Sequence, residues 1–161
     1  MPFLWPVLVM IAIYLFSAAP AETSDQHSGI IVDVVRNVFP NATDIHLITT
    51  IVRKIAHFTE YLILGLLFAR ALNITSERER TADYREEHGK TIKKRIILYA
   101  AALSLIVAAG DETHQLFVPG RAGKFSDILI DLLGAAAGIA IYCTFRHLRS
   151  RKTKNTQEIR K

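Results

Sequence analysis

A chain of 161 residues that is 50% apolar and 22% charged carries too much hydrocarbon for an ordinary soluble domain unless its charges are segregated. The net charge of +5 does not make it a nucleic-acid binder, because the basic residues gather in two blocks that alternate with apolar windows. One cysteine, Cys143, excludes an internal disulfide and a cysteine-based metal site; a small apolar-helix residue is the simpler reading.

Four windows, Phe3–Ala18, Ile51–Leu72, Ile96–Val118 and Phe125–Phe145, approach or reach the roughly 20 residues that cross a bilayer core. The first resembles a signal peptide, ending in Ala19-Pro20-Ala21. It lacks a basic start, and a proline adjoins the cleavage bond, so an uncleaved first span is preferred. After it, Ile30, Ile31, Val34, Val35, Val38 and Phe39 recur at helical spacing between Ser28 and Pro40. This predicts a short amphipathic helix on the outer interface, as a lid, a lipid anchor or a plain connector.

The second span opens with Arg53-Lys54 and carries His57 and Glu60 in its first turns, on the face shared with Tyr61 and Leu64. Residues 73–95 then mix Glu with Arg and Lys without an apolar stripe, as expected of a solvated loop or helical extension. The third span is smooth from Ile96 to Ala109 and turns polar at Asp111, Glu112 and Gln115. A Pro119–Gly123 loop leads to the fourth, where Asp127, Asp131, Gly134 and Gly138 share one face. The Gly134-x-x-x-Gly138 spacing lets two helices approach closely in a membrane.

The blocks of charge give an orientation. Arg70–Arg95 and the tail 146–161 are basic, whereas 21–50 and 113–124 hold few cations. By the positive-inside rule both termini and the 73–95 loop face the cytoplasm, and the other two loops face outward. The predicted fold is therefore all-α: a polytopic membrane protein with four transmembrane helices and a short outer amphipathic helix. One four-helix domain occupies residues 1–145, followed by a basic cytoplasmic tail, residues 146–161.

Helical rise tests whether the polar residues meet. Counting about 1.5 Å per residue from each boundary puts Glu60, Asp111 and Asp131 roughly 8–10 Å below the outer surface. His57 and Asp127 fall in the same layer, with Glu112 and Gln115 just above and Arg121 able to fold over the top. A carboxylate among hydrocarbon is expensive and marks a site or a self-neutralising network that fixes helix register. His57, Glu60, Asp111, Glu112, Gln115, Arg121, Asp127 and Asp131 are thus the candidate polar site, with Gly134 and Gly138 as packing positions. Three chemistries stay open: a head-group site, with Arg121 and Lys124 available to a phosphate; a divalent ion, since His57-x-x-Glu60 lies beside further carboxylates; and acid/base catalysis by clustered carboxyls. No cofactor motif and no nucleophile triad appears.

The blocks Phe16–Glu22, Arg53-Lys54-Ile55-Ala56-His57-Phe58-Thr59-Glu60-Tyr61, Asp111-Glu112-Thr113-His114-Gln115-Leu116-Phe117-Val118-Pro119-Gly120-Arg121 and Asp127-x-x-x-Asp131-x-x-Gly134 resemble the VanZ-like membrane proteins. The resemblance runs from the first span to about Tyr142. It implies a small bacterial integral membrane protein of a family named for low-level resistance to teicoplanin, a lipoglycopeptide that binds cell-wall precursors. The expectation is a multi-pass protein of the bacterial cytoplasmic membrane. It would bind, modify or shield an envelope lipid or lipoglycopeptide at its outward polar site. A hydrolase or transferase acting on a lipid-linked head group, and a structural partner of an envelope complex, are the alternatives.

Overall fold

The computed structural model describes residues 1–18, 44–79, 82–121 and 123–158. The expected amphipathic helix over 28–39 lies outside these residues. The described chain is all-helical, with four helices: α1 (Leu4–Ser17), α2 (Ile45–Glu79), α3 (Ala82–Gln115) and α4 (Phe125–Glu158). Asp44 starts α2, its Oδ1 accepting the Leu47 N–H at 3.1 Å, the side-chain cap that an exposed helix start needs.

The three long helices hold 35, 34 and 34 residues, so each spans about 50 Å, well beyond the ~30 Å of a hydrocarbon core. The excess lies at one end. The stretch 73–95, read from sequence as a loop or helical extension, is helix on both sides of residues 80–81. Glu and Arg three and four apart support such a solvated helix, and no proline interrupts it. The tail likewise continues α4 to Glu158.

The core is narrow and built on small residues. Gly134 and Gly138 of α4 lie against the backbone of α2 at Phe58 and Leu62, and Gly65 of α2 lies against Ala135. A Cβ at Gly138 would collide with the Leu62 carbonyl oxygen. Backbones this close leave no room for side chains between them, so α2 and α4 form the most extensive interface of the bundle. Tyr61, Leu64, Phe68, Ala100, Ala108, Ala135 and Ile139 fill the remainder, with Ile13 of α1 reaching in.

The outer faces are apolar. Leu8, Ile11 and Leu15 of α1, Ile55 and Ile63 of α2, Leu98 and Ile106 of α3 and Leu129 and Leu133 of α4 are all exposed. Apolar side chains exposed on all four helices mark a surface that meets lipid or another apolar partner. Two helical stretches, Leu47–Arg78 and Phe125–Ser150, are long and apolar enough to cross a membrane, and Leu4–Ser17 is a shorter apolar helix.

Candidate functional site

One end of the bundle, where α3 turns into α4, holds a polar layer. Its members come from three helices. Asp131 of α4 is fully buried, and Asp111, Glu112 and Gln115 of α3 are nearly so. His57 and Glu60 of α2 are partly covered. The helical spacing explains the convergence: Asp131 stands three residues before Gly134, so the closest-packed face of α4 brings it against α2.

The contacts are few for so many polar groups. His57 Nδ1 lies 3.2 Å from Asp131 Oδ1; against an ionised Asp131 it carries the proton, and the remaining lone pair is on Nε2. Gln115 Nε2 donates to Asp111 Oδ2 at 3.0 Å. The Lys124 backbone N–H donates to Glu112 Oε2 at 2.7 Å. That last bond depends on the loop lying flat on α3: a Cβ at Gly123 would strike the Glu112 carbonyl oxygen. Each carboxylate thus has one oxygen satisfied. Asp111 Oδ1, Glu112 Oε1 and Asp131 Oδ2 are buried without a hydrogen-bond partner, as is Tyr61 Oη. Buried unpaired oxygens are costly enough that each calls for a ligand or a proton.

Three of these side chains form a tighter group. One ligand atom each from His57, Asp111 and Glu112 lies within 4.8 Å of the other two. Glu60 stands in electrostatic contact with His57, Asp111, Asp131 and Arg121, and makes no side-chain hydrogen bond to another described residue.

Arg121 and Asp127 take positions at the rim. Arg121 Nη2 donates to the Phe16 carbonyl oxygen at 3.1 Å, so it ties the end of α1 over the layer. Asp127 sits in the first turn of α4 and accepts from Ser126 Oγ at 3.1 Å, a placement that also suits the helix dipole. The structure therefore brings His57, Glu60, Asp111, Glu112, Gln115 and Asp131 together, and sets Arg121 and Asp127 at the edge. The phosphate role sketched for Arg121 from the sequence has to reckon with its bond to the main chain.

Two participants were not singled out as site residues from sequence. Tyr61, four residues after His57, is fully buried with its hydroxyl in the layer; the i, i+4 offset was the available signal. The end of α1 is the other. Tyr14 stacks on His114 with ring centroids 4.5 Å apart, and Ser17 is buried beside Phe16. No periodicity could assign this, because α1 is uniformly apolar.

An all-helical bundle with an apolar outer belt, two helices long enough to span, and carboxylates buried at one end defines the class: a helical protein of membrane type. The chain belongs to the VanZ/LLP1 family, whose model matches residues 3–146, nearly its whole length. No curated protein and no solved structure matches it.

Proposed function

We propose that this chain is a four-span protein of the bacterial cytoplasmic membrane whose buried polar layer opens outward and binds the head group of a cell-envelope amphiphile. By binding, modifying or shielding that amphiphile it lowers susceptibility to teicoplanin-type lipoglycopeptides. The observation that carries this reading is a polar floor under an apolar rim. The carboxylates of α3 and α4 lie beneath Phe16, Leu116, Phe117 and Phe125, which are all exposed; Phe117 is 81% exposed. A polar head with an apolar tail matches that pair of surfaces. Orientation follows from charge: Arg70, Lys93, Lys94, Arg95, Arg146 and Arg149 stand at the opposite end, which is the cytoplasmic end under the positive-inside rule.

The test is teicoplanin susceptibility of a sensitive host expressing the wild type or Glu60→Gln at equal membrane levels, with vancomycin as control. Glu60 is chosen because its loss breaks no side-chain hydrogen bond among the described residues. Selective protection that the variant loses supports the site. Protection kept in full demotes Glu60 to packing, and protection by neither form rejects the lipoglycopeptide. The topology is read separately. A cysteine at Pro119, in a Cys143→Ala background, should react with a membrane-impermeant maleimide on intact spheroplasts. Reaction only after permeabilisation rejects the orientation.

A further inference from the structure

We propose that His57, Asp111 and Glu112 form a binding site for one divalent cation of the zinc or manganese type, with Asp131 as the group that orients His57. The inference deepens the reading above by supplying the polar layer with a cofactor, but it concerns the protein alone and needs no amphiphile to be true.

Four observations converge. First, the ligand set comes from two packed helices, His57 on α2 and Asp111 and Glu112 on α3, with one ligand atom of each within 4.8 Å of the others. A shell with bonds of 2.0–2.2 Å separates tetrahedral ligands by about 3.4 Å, so rotamer adjustments of roughly 1 Å complete it. Second, the two carboxylates are more than nine-tenths buried, and each keeps one oxygen, Asp111 Oδ1 and Glu112 Oε1, with no partner. The oxygens that do have partners are held by Gln115 and by the Lys124 N–H. Those bonds fix the carboxylates and leave the other oxygen of each for a ligand.

Third, Asp131 Oδ1 lies within hydrogen-bond distance of His57 Nδ1, at 3.2 Å. A carboxylate on one imidazole nitrogen that leaves the other basic is the standard support of a metal-ligating histidine. Fourth, the charge does not balance from within. Four carboxyls, Glu60, Asp111, Glu112 and Asp131, face two possible cations in this layer, His57 and Arg121, and Arg121 keeps its charge while it donates to the neutral Phe16 carbonyl oxygen. A dication supplies the missing positive charge where hydrocarbon surroundings penalise anions. One imidazole with two carboxylates favours zinc or manganese over the all-oxygen shells of calcium and magnesium. The rival account is that protons shared among the carboxyls neutralise the layer without metal.

The experiment uses the full chain, purified in detergent with a tag free of histidine and without chelators. Metal content is read by mass spectrometry, and Zn²⁺ and Mn²⁺ are titrated calorimetrically into stripped protein. The wild type should carry about one equivalent of a single transition metal and rebind Zn²⁺ saturably. Glu112→Gln should lose saturable binding, and Asp131→Asn should weaken it about 10–100-fold. Glu77→Gln, at the far end, should bind like the wild type. A metal-free wild type that shows no saturable uptake overturns the proposal and leaves proton sharing, whatever the drug test gives. Retention of full affinity in both Glu112→Gln and His57→Gln also overturns it. If those variants fail to accumulate, Co²⁺ loaded into the wild type decides. Visible bands distinct from aqueous Co²⁺ that one equivalent of Zn²⁺ removes support the site, and an unchanged aqueous spectrum rejects it.

Discussion

The two ends of the bundle handle buried and half-buried charge in opposite ways. At the basic end Asn73 Nδ2 and Arg146 Nη2 both donate to Glu77 Oε1 at 3.0 Å. Both ends of the ion pair are over 40% exposed. A cavity of about 520 Å³ there is lined by Arg70, Arg146 and Arg149 as well as Glu77. Anions at this end have cations within reach, and water does the rest. At the acidic end the carboxylates are sunk among helices, with three oxygens unpartnered. From His57 to Asn73 along α2 the two layers stand about 24 Å apart, close to a hydrocarbon thickness. Among the described residues the basic end leaves one buried side-chain oxygen, Asn73 Oδ1, without a partner, against three carboxylate oxygens at the acidic end. The acidic end is arranged to be completed by something else.

The comparison can be broken most severely through what positions both ends. Gly138→Leu forces a side chain into the α2 backbone at Leu62. The expected loss is about 3 kcal/mol or more, because backbone cannot move aside as a rotamer can. Detergent-solubilised protein should unfold at markedly lower temperature and accumulate poorly; wild-type behaviour would reject the close α2–α4 contact.

A smaller change should convert one end into the other. Gln115 is fully buried beside Asp111, so Gln115→Lys places a fixed cation inside the acidic layer. The chain should still reach the membrane, while teicoplanin protection and zinc uptake both fall at least about tenfold, since every tenfold corresponds to only about 1.4 kcal/mol of binding. Unchanged zinc titration in this variant would contradict the contrast between the two ends.

The mildest expectation belongs to the basic end. Glu77→Gln removes an exposed ion pair with Arg146, and such pairs contribute under about 1 kcal/mol. Stability and protection should stay near wild type. A loss as large as that of the acidic-layer variants would mean that the ends are coupled and that the contrast is false.

Much of the architecture is legible in the residues because hydrocarbon solvent permits little else. The polar interruptions at His57, Asp111 and Asp131 can be counted to one depth, since helical rise is constant. The Gly134-x-x-x-Gly138 face likewise declares itself through spacing. What spacing cannot show is which oxygen is paired. That depends on rotations of helices and on the Gly123 approach to α3, both long-range. The division of roles between Arg121 at the rim and Gln115 in the layer had the same cause, as did the arrival of Tyr14 and Phe16 over the site. The sequence does not decide the helical continuation through 73–79 and 82–95, because solvated charge patterns suit both loop and helix.

By itself the sequence determined an all-helical chain with apolar windows, an acidic end and a basic end, and membership of a family whose ordered motifs it carries. Those properties are local: periodicity, hydropathy and charge order are written along the chain. Only the tertiary structure decided that α2 and α4 meet backbone to backbone, that His57 leans on Asp131, and that Asp111 and Glu112 each keep an oxygen turned inward without a partner. Those are matters of packing, fixed by which side chains leave room for which neighbours, and no single segment holds that information.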